Sequence, residues 1–167
     1  MTTARSPYSE ATQTGLTVVG ICRETGREVR MRADAAASLG GLLARARAAG
    51  VAIVPVSGFR TFKYQESLFY KAVEKYGSED VAARWVARPG HSEHHTGLAV
   101  DLGDESSPEC DIEPPFEGTG AFHWLCQNAG CFGFELSFPR NNACGVDYEP
   151  WHWRFVGTPE AKQVFHK

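Results

Sequence analysis

The chain has 167 residues, 43% of them hydrophobic and 22% charged, which is the composition of one ordinary globular domain. Its formal net charge of -3 gives no basic face for a nucleic acid, and its longest apolar run, residues 51–56, is too short to cross a bilayer. We expect a monomeric domain over 16–167 with neither a nucleic-acid partner nor a membrane span. Residues 1–15 are polar, lack the pattern of a signal peptide and are expected to form a flexible lead-in.

The first third of the chain predicts two strands separated by a helix. A strand is predicted over 16–21, followed by an Ala/Leu/Arg-rich helix over 35–49 with Asp34 as its N-cap and Gly50 at its end. The β-branched run 51–56 then predicts a buried strand.

Helices and strands continue along the rest of the chain. Three helices are predicted, at 61–75, 78–87 and 119–128, and three strands, at 98–102, 132–138 and 151–156. The Pro-rich stretch 103–118 is predicted to be an irregular loop. This order favours an α+β fold in which helices flank a small, mostly antiparallel sheet.

The five cysteines are unevenly distributed, because four of them fall in the Pro-, Gly- and Asn-rich stretch 110–144. They are Cys22, Cys110, Cys126, Cys131 and Cys144. Such clustering favours disulfides and an oxidising compartment, with Cys22 unpaired. The alternative is a set of reduced thiols packed as small hydrophobes, whereas a structural zinc site would need a close CxxC pair. We expect at least one disulfide within 110–144.

Candidate metal ligands occur in the stretch 89–101. His94 lies before a predicted strand, and Asp101 lies near the end of that strand. Imidazole nitrogen and carboxylate oxygen both bind zinc well, and mixed sets of the two are typical of catalytic sites. The spacing alone is weakly specific, because many exposed pairs match it by chance. The neighbouring His91 and His95 are expected at the rim of the cleft.

A second cluster, residues 148–154 (YEPWHWR), places Glu149 and His152 three positions apart among aromatic side chains. Residues three apart in a strand face opposite sides, but Pro150 interrupts regular pairing, so a bend can turn Glu149 toward His152. His152 would complete a set of two histidines and one aspartate that leaves a fourth position for water. Glu149 would take a proton from that water. A packed histidine without a metal is the alternative for His152.

Taken together, three blocks of the chain resemble a known family. Residues 57–61 (SGFRT), 92–101 (SEHHTGLAVD) and 149–152 (EPWH) are similar, in the same order, to three motifs of the VanY-type carboxypeptidases. That family belongs to the zinc peptidases related to lysostaphin and the hedgehog signalling domain. The resemblance covers roughly 33–157, and three motifs together are more specific than any one. It implies a hedgehog/DD-peptidase-like fold whose sheet carries the zinc site.

The resemblance also implies roles for individual residues. It implies a catalytic Zn2+ bound by His94, Asp101 and His152, with Glu149 as the general base for a metal-activated water. The residues that match those near the peptide C-terminus in the family, and so are implied to bind substrate, are Arg60, Gln65 and Ser92. A guanidinium suits a terminal carboxylate, because it donates paired, charge-assisted hydrogen bonds. The alternatives from the pattern alone are a surface ion pair for Arg60, a solvated helix face for Gln65, which the pattern favours, and a cap of the turn before His94 for Ser92.

The expected function is that of a zinc-dependent D,D-carboxypeptidase that hydrolyses the terminal D-Ala-D-Ala bond of peptidoglycan stem peptides or their precursors. Alternatives are an L,D-carboxypeptidase acting on tetrapeptide stems, a cell-wall endopeptidase, and a non-catalytic zinc-containing module that binds peptidoglycan. Glu149 favours an enzyme over the module, and Arg60 with Gln65 favours recognition of a chain end. Such a substrate implies the periplasm or cell wall, although a cytoplasmic or phage-encoded enzyme is an alternative in the absence of a signal peptide.

Overall fold

The structure is a computed structural model that describes residues 7–166. Within that range six strands form, β1 Leu16–Ile21, β2 Glu28–Arg32, β3 Ile53–Ser57, β4 Ala99–Asp104, β5 Phe134–Leu136 and β6 His152–Phe155. The helices are α1 Ala33–Ala48, α2 Phe62–Tyr76, α3 Glu79–Trp85, α4 Gly120–Asn128 and α5 Pro159–Phe165. Short 3₁₀ turns connect several of them. No helix in this part of the chain is long and apolar enough to cross a membrane.

The strands form two antiparallel sheets. β1 and β2 pair as a hairpin, and the other four strands lie in the order β3-β4-β6-β5. All six residues of β4 are buried, since this strand is paired on both edges. Helices flank these small sheets, which confirms the expected α+β class.

The register of the four-stranded sheet positions the site. Asp101 on β4 is paired with Ser57 on β3 and with His152 on β6. Successive side chains of a strand point to opposite faces, so the neighbours of Asp101, Val100 and Leu102, belong to the hydrophobic core while Asp101 faces the other side. The sheet thus separates the core from the cluster of polar side chains.

Helices cover both faces of this sheet. The core face packs against α1 and α4, which contribute Leu39, Leu42 and Leu125, all at most 1% exposed. On the other face, α2 and α3 pack together through a second apolar cluster of Phe69, Ala72, Ala82 and Ala83. Gln65 of α2 and Trp85 of α3 line a cavity with Asp101, so this helix pair forms one wall of the polar site.

Two elements were not predicted from the sequence. In β2, charged residues alternate with Val29 and Met31, which are 2% and 0% exposed. This is the alternation expected of a strand with one buried face. Thr158 is the N-cap of α5, and its side chain accepts a hydrogen bond from Ala161 N. Pro159 follows as the first residue of the helix. This Thr-Pro pair is an ordinary helix-start signal.

The prediction that Asp34 is the N-cap of the first helix is wrong. α1 begins at Ala33 with Arg32 as its N-cap, and no side chain caps it. Asp34 lies in the first turn instead, where it accepts a hydrogen bond from Arg32 Nη2 at 3.1 Å. A carboxylate in the first turn still stabilises the helix, because it faces the positive end of the helix dipole.

The expected lead-in, residues 1–15, is described only from residue 7, and residues 1–6 lie outside the described residues. Its described part makes specific contacts with the domain. Tyr8 N donates to Gly90 O and Ala11 N donates to His95 O, both at 2.8 Å. The Glu10 carboxylate accepts from Phe62 N, the first residue of α2. These bonds join the segment to the residues on both sides of His94 and to the start of α2.

The predicted disulfide within 110–144 is contradicted, because all five cysteines are free thiols in the structure. The clustered cysteines lie on different elements. Cys110 ends one 3₁₀ turn, Cys126 is on α4, Cys131 lies in the 3₁₀ turn that follows α4, and Cys144 lies in the loop before β6. Although these cysteines are close in sequence, the fold does not pair any two of their sulfur atoms, as a disulfide requires. The inference of an oxidising compartment loses its support with it.

Candidate active site

The three predicted metal ligands converge in one buried cluster. The ligating atoms of His94, Asp101 and His152 lie within 4.8 Å of one another. Their residues are 3%, 2% and 4% exposed, and each comes from a different element. Two imidazoles and one carboxylate are the kind of donor set that holds a catalytic zinc ion, because they leave a fourth position open. The residues present therefore fit a zinc site.

A short 3₁₀ turn, Glu93–Thr96, orients His94. Ser92 caps this turn, and its Oγ accepts a hydrogen bond from His94 N at 3.3 Å. His94 Nδ1 donates to Gly58 O at 2.7 Å, so the other ring nitrogen, Nε2, faces Asp101 Oδ2 at 3.3 Å. A backbone oxygen on one ring nitrogen leaves the opposite nitrogen free to bind a metal.

The backbone oxygen that holds His94 depends on a glycine. At Gly58, a Cβ atom would lie 2.4 Å from Arg30 O, because β2 passes directly beside this residue. Phe59 N donates to the same Arg30 oxygen at 2.7 Å. Only glycine permits this close approach, which places Gly58 O within reach of His94.

His152 is oriented by carboxylates at both ring nitrogens. Its Nδ1 lies 3.0 Å from Asp101 Oδ1, its partner across the sheet, and its Nε2 donates to Glu93 Oε2 at 2.9 Å. The Nδ1 atom therefore faces the cluster, and Nε2 faces away from it. A carboxylate on the outer nitrogen of a metal-binding histidine fixes the ring and raises its basicity.

Glu149 lies next to His152 through a β-turn. His152 N donates to Glu149 O at 3.2 Å, closing a four-residue turn with Pro150 at its second position. The turn brings Glu149 Oε2 to 3.7 Å from His152 Nδ1, and Glu149 is 5% exposed. The bend expected from Pro150 is thus present, and it directs the carboxylate toward the cluster.

The three predicted substrate-binding residues border the same cluster. Arg60 Nη2 lies 2.9 Å from Asp101 Oδ2, and its Nη1 donates to Gln65 Oε1 at 3.4 Å. Gln65 is 1% exposed and donates from Nε2 to Ala87 O at 2.8 Å, so it is not part of a solvated helix face. Ser92 is 3% exposed. Gln65 therefore holds Arg60 in place, and Ser92 serves the local backbone.

The three predicted metal ligands, Glu149 and the three predicted substrate-binding residues all line one cavity of about 220 Å³, here called the catalytic cavity. Its apolar walls come from Leu68, Trp85, Val86, Ile112 and Trp151. A larger depression of about 560 Å³ adjoins it, here called the hairpin groove, which is lined mainly by the β1–β2 hairpin and residues 56–64. Arg60, Leu68 and Ile112 line both spaces.

The charges of the cluster stabilise one another. Burial alone raises the pKa of Asp101, but the neighbouring His94, His152 and Arg60 outweigh it and lower that pKa below its usual range. Burial lowers the pKa of His94 to about 4, with Arg60 acting in the same direction, so this imidazole is neutral at pH 7. A neutral imidazole is the form that binds metals.

His152 behaves differently from His94. Burial lowers its pKa, but hydrogen bonds and charge from Asp101 and Glu93 raise it to about 9. For Glu93, burial raises the pKa, while His152, Arg154 and Ser137 together lower it to about 2. Glu93 is therefore ionised at neutral pH although it is 3% exposed, and its negative charge is directed at the His152 ring.

Glu93 is the site residue that was not predicted. Besides His152, it accepts hydrogen bonds from Ser137 Oγ at 2.6 Å and from Arg154 Nη1 at 2.8 Å. These three donors satisfy a carboxylate that would otherwise be costly to bury. Its sequence signal was weak, because its partners lie 44, 59 and 61 residues away.

His95 was expected at the rim of the cleft, and that expectation is wrong. It is 0% exposed, its Nδ1 donates to Arg60 O at 2.8 Å, and its Nε2 accepts from Gly90 N at 3.1 Å. Its ring also meets Phe62 edge-to-face at 4.5 Å. His95 therefore fixes the backbone that carries Arg60. His91 is partly exposed, as a rim position requires.

Comparisons with known proteins agree with this geometry. Residues 28–158 match the family described as VanY, D-alanyl-D-alanine carboxypeptidase. A D-alanyl-D-alanine carboxypeptidase of Enterococcus faecalis is 34% identical over 132 residues, which cover 73% of this chain and 47% of that protein. The chain spans about half the length of the first curated relatives it matches, 49% and 47%.

Two solved structures of similar fold are an LD-carboxypeptidase and a D,D-pentapeptidase. The LD-carboxypeptidase LdcB superposes with a TM-score of 0.77 at 31% identity, covering 94% of this chain and 73% of LdcB. The vancomycin-resistance D,D-pentapeptidase VanY, in a mutant form in complex with Zn(II), gives a TM-score of 0.71 at 29% identity and covers 100% of this chain and 92% of VanY. With its three motifs gathered around one cavity and its sequence matched over 28–158, the chain belongs to the VanY family of D-alanyl-D-alanine carboxypeptidases.

Proposed function

We propose that this chain is a zinc-dependent D,D-carboxypeptidase that hydrolyses the terminal D-Ala-D-Ala bond of peptidoglycan stem peptides. The observation that carries the proposal is the convergence of His94, Asp101 and His152 with Glu149 in one cavity that Arg60 borders. The activity named for the family and for the Enterococcus faecalis relative supports the same reaction. The cell envelope, where peptidoglycan lies, is the expected place of action.

Zinc would be held by His94 Nε2, one oxygen of Asp101 and His152 Nδ1. Bound there, zinc would act as a Lewis acid that polarises the scissile carbonyl and lowers the pKa of a water, which makes that water a better nucleophile. The protein's own contribution is to hold these three donors in fixed directions, through Gly58 O at His94 and Glu93 at His152. The Zn(II) complex of the VanY structure supports this choice of metal.

Glu149 would act as the general base and then as the acid. Its carboxylate lies 3.7 Å from His152 Nδ1 and lines the catalytic cavity, so it is close to the place where the attacking water must be. It accepts the proton of that water and returns it to the nitrogen of the leaving D-alanine. Its presence favours hydrolysis over a module that binds without catalysis.

Arg60, Gln65 and Ser92 would bind the C-terminal end of the substrate. Arg60 is directed into the cavity by Gln65 and by Ser57, whose Oγ accepts from Arg60 Nε at 2.9 Å. Its guanidinium can form paired hydrogen bonds with a terminal carboxylate, which a peptide in the middle of a chain does not offer. Recognition of a chain end distinguishes a carboxypeptidase from an endopeptidase.

An L,D-carboxypeptidase acting on tetrapeptide stems is the second candidate. The likeness to LdcB, an LD-carboxypeptidase with a TM-score of 0.77, favours it. Both reactions release D-alanine and use the same zinc and base, so they differ only in the residue that precedes the scissile bond.

Zinc-dependent release of D-alanine tests the proposal directly. We expect the metallated protein to convert a pentapeptide stem into the tetrapeptide and one D-alanine, because Arg60 at the cavity can bind the terminal carboxylate. Chelation should abolish turnover, and added zinc should restore it. Mass spectrometry of pentapeptide and tetrapeptide reactions gives the products. Cleavage of the tetrapeptide alone would favour the L,D reaction, and no zinc-dependent product from either peptide would refute the proposed function.

The role of Arg60 can be isolated with an amidated substrate. We expect wild type to prefer the free-acid peptide strongly, and Arg60→Ala to lose most of that preference. A charge-assisted contact of ~1.5–3 kcal/mol corresponds to about a tenfold to hundredfold change in kcat/KM. Steady-state kinetics with both peptides measures the effect, after zinc content is verified because Arg60 also contacts Asp101.

Arg45→Ala is the matched control for the Arg60 variant, since Arg45 is exposed on α1 and does not line the catalytic cavity. It should keep the wild-type preference. If wild type cleaves the free acid and the amide equally well, Arg60 does not recognise the chain end, and an endopeptidase becomes the better interpretation.

A further inference from the structure

The loop after β4 contains a turn that ordinarily requires glycine. Glu113 N donates to Cys110 O at 3.2 Å, which closes a β-turn over 110–113. Asp111 has φ -61° and ψ 125°, and Ile112 has φ 55°. Both angles of Asp111 and the positive φ of Ile112 match a type II turn, whose third position favours glycine or asparagine. Here that position is occupied by isoleucine.

Isoleucine is poorly suited to this backbone conformation. A positive φ brings its branched Cβ close to the backbone, which makes it a genuine outlier among non-glycine residues. Within residues 7–166, the other non-glycine residue with positive φ is Asn141, a type that tolerates it. Strain of this kind persists where the surrounding structure fixes the residue, and it is concentrated at functional sites.

The residue before Ile112 is held from two sides. Arg23, in the turn between β1 and β2, donates to both carboxylate oxygens of Asp111, at 2.9 and 2.6 Å. The same guanidinium donates to Asp104 O at 2.9 Å, at the end of β4. On the other side, a Cβ at Gly103 would lie 2.2 Å from Asp111 Oδ1, so the carboxylate packs directly on the β4 backbone. The turn is therefore locked against the sheet.

This arrangement directs the Ile112 side chain to the active site and not into the core. Ile112 is 39% exposed, so burial in the core does not offset its strain. It lines both the catalytic cavity and the hairpin groove, where Arg60 and Leu68 also lie. An apolar side chain thus stands at the boundary between the two spaces, beside the group proposed to bind the substrate end.

We propose that Ile112 is a specificity-determining residue whose side chain contacts a methyl group at the D-Ala-D-Ala end of the substrate. The inference rests on the proposed function, because it assigns the apolar contact that accompanies recognition of the terminal carboxylate. The rigid turn holds the isoleucine where a small apolar side chain of the peptide passes from the cavity toward the groove.

The assignment is tested by measuring how much kcat/KM depends on each substrate methyl group, in wild type and in a variant of Ile112. Wild type and Ile112→Asn are compared on three peptides, ending in D-Ala-D-Ala, Gly-D-Ala and D-Ala-Gly. Asparagine tolerates the positive φ, so the turn keeps its shape. One methyl group in an apolar contact is worth about tenfold or more in kcat/KM. We expect Ile112→Asn to lose this preference at one of the two positions, with zinc content unchanged.

Thermal unfolding separates this role from a structural one. Since Ile112→Asn relieves backbone strain, its Tm should be no lower than that of wild type. A fall of several degrees would instead identify Ile112 as a core-packing residue and overturn the assignment. Ile21→Asn, at an isoleucine that is 56% exposed and lines neither space, should keep the wild-type preferences.

The two proposals fail in different ways. If wild type releases D-alanine and the Ile112→Asn variant discriminates the three peptides as wild type does, the role of Ile112 is refuted while the proposed function stands. If wild type releases neither D-alanine from the peptides ending in D-Ala-D-Ala and Gly-D-Ala nor glycine from the one ending in D-Ala-Gly, the proposed function is refuted and the inference falls with it.

Discussion

The Glu149→Gln variant is expected to keep its fold and its zinc but to lose about 10²–10⁴-fold in kcat, the usual contribution of a general base. The amide has nearly the shape of the carboxylate, but it cannot accept the proton of the attacking water. The β-turn that positions residue 149 depends on its backbone oxygen, which is unchanged in the variant. The loss should therefore be chemical and not structural.

Kinetics of protein with verified zinc content measure this loss. Glu66→Gln makes the same change at an exposed position on α2 and should leave kcat unaltered. A Glu149→Gln enzyme with full zinc and near-normal kcat would show that another group accepts the proton. Loss of zinc together with activity would instead mean that Glu149 supports the metal site.

Removal of a metal ligand should have the largest effect on zinc binding. In His94→Ala, two donors would remain, and we expect zinc affinity to fall by more than the about 10–100-fold that is typical for removal of an outer hydrogen-bond partner of a ligand. Competition with a chromophoric chelator measures the affinity of wild type and variant. Tightly bound, stoichiometric zinc in His94→Ala would remove His94 from the ligand set.

A substitution of Glu93 should weaken zinc binding less than His94→Ala does, so the same measurement can compare the two. Glu93→Gln keeps all three ligands but weakens the hydrogen bond at His152 Nε2, so its affinity for zinc should fall by about 10–100-fold. Ser137→Ala removes another side-chain partner of the same carboxylate and leaves the backbone hydrogen bond from Ser137 N to His152 O in place, so this variant should bind zinc nearly as wild type does. Equal zinc affinities in Glu93→Gln and Ser137→Ala would mean that Glu93 does not act through His152.

Elements with a strong local signal were predicted well from the sequence. The helix predicted at 61–75 is Phe62–Tyr76, because Thr61 caps its start and Gly77 ends it in the left-handed region. The strand predicted at 16–21 is Leu16–Ile21. β2 was missed because the strand has only five residues, and just two of them, Val29 and Met31, carry its apolar signal.

For the site, the sequence motifs predicted which residues come together but not the contacts between them. Three sequence motifs identified the residues now found together, but their hydrogen-bond partners are set by tertiary structure. Glu93 and His95 flank His94 in sequence, yet one supports His152 and the other supports the Arg60 backbone. Local pattern could not distinguish these directions, because they follow from how the 3₁₀ turn Glu93–Thr96 packs against β4 in the folded domain. The cysteine prediction failed for the same reason, since spacing along the chain does not give distance.

The position of β4 bears on how this domain can vary. Asp101 belongs to a strand that is paired on both edges and has Val100 and Leu102 in the core, so a substitution there alters stability and metal binding together. The turn at 110–113 is not part of the sheet, and it contacts β4 through the Asp111 carboxylate at Gly103. Under the role proposed for Ile112, a substitution confined to this turn would change which residue is accepted before or at the chain end and would leave the metal ligands and Glu149 in place.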